Sequence, residues 1–246
     1  MSQPSRGHLL SETFGRQSVE TRERTRLIRR VFEQVAPRYD LMNDLMSFGI
    51  HRIWKRDLVR ATLDRPVTQL VDLAGGTGDV ARRLRGPGRV VTIVDPSLAM
   101  MIAGRGQNGA GVNYLAGTGE QIPLADDSLD ALTIAFGIRN VTSMPAALAE
   151  IARVLKPGGR CLCLEFSKPA FWLRPFYNLY SYLVIPRLGA FVAKAPEAYT
   201  YLTESIRKFP DQEEMKVLME AAGLAEVTYR NLSFGIACLH TATKPR

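Results

Sequence analysis

The sequence predicts an α/β fold built on a mostly parallel sheet. Three observations predict it. From residue 69 onward, short β-rich runs alternate with helical stretches, the pattern of successive βαβ units. The runs are almost continuously apolar, as strands buried on both faces are. The first of them, "QLVDLA", runs into a tight glycine turn and then directly into the helical "DVARRLR".

The elements follow in order. Residues 1–24 are polar and are expected to be poorly ordered. Residues 25–63 read as a helical cover: Leu27, Ile28, Val31, Phe32 and Val35 recur at helical spacing, and Pro37 ends the pattern. A second helix, "HRIWKRDLVRATL", follows Gly49. The sheet region then supplies the strands "QLVDLA", "RVVTIVD", "VNYLAG", "DALTIAF" and "RCLCLEF", separated by helices that include "SLAMMIAGR" and "MPAALAEIARVL". Residues 167–210 break the alternation with Phe171, Trp172, Phe176, Tyr177, Tyr180, Tyr182, Phe191, Tyr199 and Tyr201. The helix "DQEEMKVLMEAAG" and two strands, "LAEVTYRNL" and "GIACLHTAT", complete the chain, and no internal repeat is visible. Residues 25–246 are read as one domain.

Composition narrows the function classes. Among 246 residues, 46% are hydrophobic, which is ordinary for a globular core. No apolar run approaches the roughly 20 residues of a membrane span. The N-terminus lacks the apolar core of a secretory signal, so a cytoplasmic location is expected. Cys161, Cys163 and Cys238 form no metal-type cluster, and the first two share a strand face as small buried residues. The formal net charge of +8, densest at Arg22, Arg24, Arg26, Arg29 and Arg30, invites a nucleic-acid or anionic-membrane reading. The excess is spread over several segments, and aromatic RNA-stacking motifs are missing. No nucleic-acid partner is therefore expected.

The glycine turn "VDLAGGTGDVA" carries the first chemical signal. Glycines let a ligand approach the backbone and its helix N-terminal N–H groups. Asp95 ends the next strand, where a carboxylate accepts from both hydroxyls of a ribose. A nucleoside site results, with two ligands open. Gly76, Gly78 and Ala81 satisfy G-x-G-x-x-A, the dinucleotide pattern, which would make an NAD-linked oxidoreductase. S-adenosylmethionine is the other, with its amino-acid end held by the loop.

The blocks "VFEQVAPRYDLMNDLMSFGIHRIWK", "VDLAGGTGD", "FGIRNVT", "ARVLKPGGR", "LEFSKP", "YLTESIRKFPDQ" and "NLSFGIACLH" occur in that order. From about residue 31 to the C-terminus the chain resembles the UbiE/MenG family of quinone C-methyltransferases. The resemblance implies a class I AdoMet-dependent methyltransferase fold, Rossmann-like, with a seven-stranded sheet whose last strand is antiparallel. It implies S-adenosyl-L-methionine as cofactor and a prenylated benzoquinol or naphthoquinol as substrate, in ubiquinone or menaquinone biosynthesis. Carried over by position, it assigns the cofactor to Asp72, Gly75, Gly76, Thr77, Gly78 and Asp95, with Thr118, Gly119 and Ala135 beside them. Thr118 and Gly119 stand where the family shows Asp-Ala or Asn-Ala, and Ala135 where it often shows Ser. These departures keep a methyltransferase of another hydrophobic small molecule as the alternative.

The chemistry falls on "TIAFGIRNVTS". An apolar strand there ends on Arg139 and Asn140, at the carboxyl edge where α/β sheets bind ligands. C-methylation needs a phenolate, and a phenol ordinarily titrates at about 10. Arg139 stays protonated and cannot be the base; it stabilises developing negative charge, and Asn140 orients the hydroxyl or a water. The resemblance places a water held by Tyr39, Arg139 and Asn140 as proton acceptor, with His51 as the rival base. The acceptor's tail is assigned to the aromatic segment, interrupted by Pro175 and Pro186, with Trp172, Arg174, Arg187 and Lys194 at a lipid headgroup boundary. Peripheral contact with the inner face of the cytoplasmic membrane is expected from that substrate; a homodimer and a quinone-biosynthesis complex are both left open.

Overall fold

The computed structural model describes residues 13–14, 17–36, 39–108, 111–183, 187 and 196–246, without the side chains of 196–200. Residues 1–12, Pro37, Pro186, Phe191, Lys194 and the side chain of Tyr199, to which the sequence gave roles, lie outside the described residues.

Seven strands form one sheet: β3 (Gln69–Leu73), β4 (Val90–Asp95), β5 (Val112–Ala116), β6 (Leu129–Ala135), β7 (Leu155–Phe166), β8 (Ala225–Leu232) and β9 (Ala237–Thr243). Their spatial order is β5-β4-β3-β6-β7-β9-β8. The first five pair in parallel. β9 runs antiparallel to both β7 and β8, as expected for the last strand. β4 and β6 flank β3, so the chain winds to opposite sides of β3 and opens a crevice at its carboxyl end.

Strand alternation sends neighbouring residues to opposite faces. Val71, Leu132, Cys161 and Cys163 join a core under α6 (Met144–Val154) and α9 (Gln212–Ala221). Leu70, Ala131, Leu162 and Leu164 join the other core, against α3 (His51–Thr62) and α4 (Asp79–Leu84). α5 (Leu98–Asn108) adds Met101 to that second layer. Burial pushes the Cys161 thiol up to about 12, so it behaves as the small apolar residue the sequence suggested.

The N-terminal region corrects one expectation. Thr13–Phe14 (β1) pairs with Gln17–Ser18 (β2), and α1 already begins at Thr21 and runs to Val35. The buried positions of α1 are Arg24, Ile28, Val31 and Val35, a stripe at i, i+4, i+7, i+11. The sequence counted Arg24 as surface charge, yet it is 1% exposed. Three carbonyls hold it: Nε donates to Thr13 O at 3.1 Å, Nη1 to Val141 O at 2.9 Å and Nη2 to Arg139 O at 3.1 Å. These bonds meet the cost of burying the guanidinium.

α2 (Tyr39–Ser47) follows α1. Val31 and Val35 of α1 and Met42 of α2 form a small third core, with Tyr180 and Leu202 packed on it. Tyr180 belongs to α7 (Arg174–Leu183) and Leu202 to α8 (Pro196–Lys208). The aromatic segment and the N-terminal helices thus share one core and together roof the crevice.

Candidate active site

Two adjoining cavities lie at the carboxyl end of the sheet. The first, of about 260 Å³, is lined by the loop after β3, by Asp95 and Ser97 after β4, by Thr118 to Glu120 after β5, and by Ala135 to Gly137 after β6. The second, of about 350 Å³, lies between α1, α2, α3, α7 and α8 and is almost wholly apolar. Phe32, Tyr39, Phe136 and Asn140 line both. The boundary is therefore where a reactant in one cavity meets a reactant in the other.

The first cavity is built mainly from backbone. Asp95 is 6% exposed. It accepts from Gly76 N–H through Oδ2 and from Ser97 N–H through Oδ1, each at 2.8 Å. The carboxylate is thus fixed, with lone pairs left for a ribose diol. Asp72 sits beneath the loop, where Oδ2 accepts from Ala81 N–H at 3.1 Å and Oδ1 from Thr133 Oγ1 at 2.9 Å. Burial pushes its carboxyl up to about 7, against those two hydrogen bonds. Gly76 adopts φ 55°, in the left-handed region that glycine enters without strain. Thr77 Oγ1 donates to Asp40 Oδ1 at 3.1 Å, so α2 closes over the glycine loop.

Gly78 departs from its assignment. It caps α4 at φ 82° and its N–H donates to Gly75 O at 2.8 Å. It shapes the turn and does not line the cavity, whereas Gly75, Gly76 and Thr77 do. Thr118 is exposed at the rim, and Gly119 is buried. A Cβ on Gly119 would stand 3.0 Å from Val141 Cγ1 and 3.3 Å from Ala147 Cβ. Glu120, to which the sequence assigned no role, accepts from Thr142 N–H and, at 3.0 Å, from Ser143 N–H. It ties the β5 loop to the segment after Asn140.

Several ionisable side chains line the first cavity. Asp72, Asp79, Asp95 and Glu120 face Lys55 and Arg29 around this cavity. Asp79 occupies the first position of α4, where a dinucleotide's pyrophosphate would sit. Burial alone would raise its carboxyl; Lys55 at 3.0 Å and Arg83 at 3.0 Å outweigh that and bring it to about 2. Asp79 is thus balanced by Lys55, Arg82 and Arg83, and its charge alone does not choose between the two ligands.

The second cavity holds the predicted catalytic group. Arg139, 5% exposed, donates from Nη1 to Phe136 O at 2.7 Å and to Glu165 Oε1 at 2.6 Å. Its Cζ lies 5.4 Å from the Phe166 ring centroid. Arg139 Nε and Glu165 Oε2 are both buried without a partner among the described residues. Burial pushes the Glu165 carboxyl up, opposed by Arg139 and the Phe166 N–H. Glu165, near the end of β7, is the partner of Arg139. Asn140 accepts from Tyr201 O–H at 2.9 Å and donates to Phe136 O at 3.4 Å, which fixes its amide. The sequence placed Tyr201 only in the aromatic segment assigned to the acceptor's tail, with no bond to Asn140. Its only signal was a tyrosine inside a polar helix.

Backbone strain marks the same edge. Ala74 (φ 51°) ends β3 and Phe136 (φ 58°) ends β6, both in the left-handed region that such residues rarely enter. A Cβ on Gly137 would meet Ala74 Cβ at 2.6 Å. The segments that follow these two neighbouring parallel strands therefore approach too closely for a side chain at 137. The Phe136 ring packs against Trp54 and Phe166, and its carbonyl accepts from Arg139 and Asn140.

The remaining predicted residues fall as follows. Tyr39 lines both cavities. His51 lines the second, with Nε2 2.8 Å from Asp44 Oδ1. Phe176, Tyr177, Tyr180 and Tyr201 of the aromatic segment line it as well, whereas Phe171 and Trp172 do not. Arg174 Nε donates to Pro169 O at 2.9 Å and Arg187 Nη1 to Leu183 O at 2.5 Å.

Known proteins bear on this geometry. A ubiquinone/menaquinone biosynthesis C-methyltransferase of Rubrivivax gelatinosus is 61% identical, over 96% of this chain and 94% of its own. One from Paracoccus denitrificans is 48% identical, over 94% and 96%. A SAM-dependent methyltransferase from Thermotoga maritima shares the fold at TM-score 0.63 and 23% identity, covering 88% of this chain and 99% of its own. So does the [4+2]-cyclase SpnF, at TM-score 0.63 and 16% identity, covering 88% and 94%. The fold alone therefore does not fix the reaction. Sequence does: residues 18–244 match the model of the ubiE/COQ5 methyltransferase family, and the chain belongs to that family.

Proposed function

We propose that this chain methylates a ring carbon of a prenylated benzoquinol or naphthoquinol with S-adenosylmethionine, in ubiquinone or menaquinone biosynthesis. The observation that carries the reading is the pair of cavities, one acidic and backbone-lined, the other aromatic, meeting at Tyr39, Phe136 and Asn140. The relatives bearing that name cover nearly the whole chain. Asp95, Gly75, Gly76 and Thr77 would hold the cofactor, with Asp72 bracing the loop. When bound, it supplies an electrophilic methyl group on a sulfonium.

The chain's own residues prepare the acceptor. Arg139, paired with Glu165, offers its Nε–H, without a partner among the described residues, to the developing phenolate. Asn140, held by Tyr201, orients the acceptor hydroxyl. The aromatic walls exclude water, which strengthens both interactions. Placing the two reactants side by side removes much of the entropic barrier.

The tail leaves through an apolar mouth. Phe48 and Phe176 line the second cavity yet are 78% and 69% exposed, so they stand where it opens. Phe171, Leu179 and Phe234 extend the exposed apolar surface. No described helix is long and apolar enough to cross a membrane. A surface of this kind suits shallow contact with the bilayer that carries the acceptor.

Quinone profiling of a deletion strain tests the reading. A demethylated quinone should accumulate, and an unchanged quinone pool would overturn it. Calorimetry adds a check on the cofactor: S-adenosylmethionine and S-adenosylhomocysteine should bind, and binding of NAD alone would reverse the assignment.

A further inference from the structure

We propose that His51 is the base that takes the acceptor's phenolic proton, with Asp44 as its positioning residue. The inference rests on the quinol reading above. His51 opens α3 at 6% exposure and lines the aromatic cavity. Its Nε2 lies 2.8 Å from Asp44 Oδ1. A carboxylate only accepts, so Nε2 carries the hydrogen of the neutral ring and Nδ1 keeps a free lone pair. That Nδ1 is buried without a partner among the described residues. Buried acceptors are costly to leave unpaired, and a hydroxyl donor from a ligand in this cavity would satisfy it.

The surroundings support a working base. Asp44 is itself gripped on both oxygens by Arg52, so it cannot swing away from the ring. The Arg52 hydrogen bonds, with His51 helping, hold its carboxyl down at about 2. Burial lowers the His51 ring below its usual value, Asp44 pulls it back up, and Lys55 and Asp79 act in opposite senses. The other ionisable groups on the cavity wall are Arg139 and the tyrosines 39, 177, 180 and 201. His51 is therefore neutral at physiological pH and able to accept. A water held by Tyr39, Arg139 and Asn140, the base implied by the resemblance, is a much weaker one than imidazole.

The step balances. The phenolic O–H bond breaks as Nδ1–H forms, and Asp44 stabilises the imidazolium. The oxygen's electron pair delocalises onto the ring carbon, which bonds the methyl carbon as the C–S bond breaks and its pair stays on sulfur. The ring C–H proton then leaves to water, aromaticity returns, and Nδ1 gives its proton back to the oxygen. One proton is released overall.

Nitrogen-15 NMR of histidine-labelled full chain with S-adenosylhomocysteine tests this without turnover. His51 should show a protonated Nε2 and a bare Nδ1 whose shift moves when a short-tailed quinol is added. The opposite tautomer, or an Nδ1 indifferent to the quinol, would overturn the proposal. In kinetics, His51→Ala should lower kcat about 100-fold or more while S-adenosylhomocysteine affinity is kept. Its acidic limb in the kcat/KM profile should vanish, and added imidazole should restore part of the rate. Asp44→Asn should move that limb to lower pH. A His51→Ala enzyme with wild-type rate and an intact acidic limb refutes the base. Failure of the wild-type chain to methylate any quinol refutes the function reading instead, and the NMR result keeps the two failures apart.

Discussion

The two cavities are built by opposite means. The floor of the acidic cavity is made of strand ends and the turns that follow them, with side chains of the N-terminal helices over it, so the contacts of its floor are short in sequence or set by sheet register. Asp95 reaches Gly76 across 19 positions, and Asp72 reaches Ala81 across 9. The aromatic cavity is assembled from helices that the chain brings together from far apart. Tyr201 reaches Asn140 across 61 positions, and Arg24 reaches Arg139 across 115. The first is a backbone device that tolerates side-chain change, as the exposed Thr118 and the Ala135 position suggest. The second depends on individual side chains. Mutations should therefore separate cofactor grip from chemistry.

The largest expected effect concerns Asp72. Its folded pKa of about 7 stands above the ordinary value of 3.8. Across that window the folded state holds a proton that the unfolded chain has released, so stability falls as pH rises. At about 1.4 kcal/mol per unit, the ceiling is about 4 kcal/mol. Asp72→Asn should abolish that slope in denaturation series from pH 4 to pH 8. An unchanged slope would show that Asp72 does not brace the loop as a protonated or shared-proton group.

Arg139→Ala comes next, and it is the sharpest test of separation. Losing a donor to a developing oxyanion costs about 10²–10³ in kcat. S-adenosylhomocysteine affinity by calorimetry should stay within a few-fold. Equal loss of binding and turnover would mean that the cavities are one cooperative unit. Glu165→Gln probes the same pair through folding, because removing one partner of a buried ion pair destabilises by about 3–5 kcal/mol.

Asp95→Asn should do the reverse of Arg139→Ala. A hydrogen bond to a charged group is worth about 1.5–3 kcal/mol, so cofactor affinity should fall about 10- to 100-fold with kcat at saturation nearly kept. Tyr201→Phe should have the smallest effect. It removes one neutral hydrogen bond to Asn140, worth about 1 kcal/mol, and should lower kcat several-fold without touching cofactor affinity. A Tyr201→Phe defect in cofactor binding would break the distinction between the cavities.

Local pattern alone determined the alternating strands and helices, the glycine turn, Asp95 at the next strand end, and the Arg139–Asn140 edge, because apolar periodicity and turn chemistry are properties of neighbouring residues. The quoted family blocks added the antiparallel last strand, and the structure places it as β9 between β7 and β8. Tertiary structure decided the rest. Arg24 reads as surface charge until α1 is docked, and only its place in the stripe of Ile28, Val31 and Val35 hinted otherwise. Glu165 had no visible partner until β7 lay beside the turn after β6. His51 reads only as a rival base in the sequence, and the bond from its Nε2 to Asp44 is visible only in the fold. A sequence records which groups are present, whereas hydrogen-bond satisfaction and desolvation are set by segments far apart in the chain that meet only in the fold.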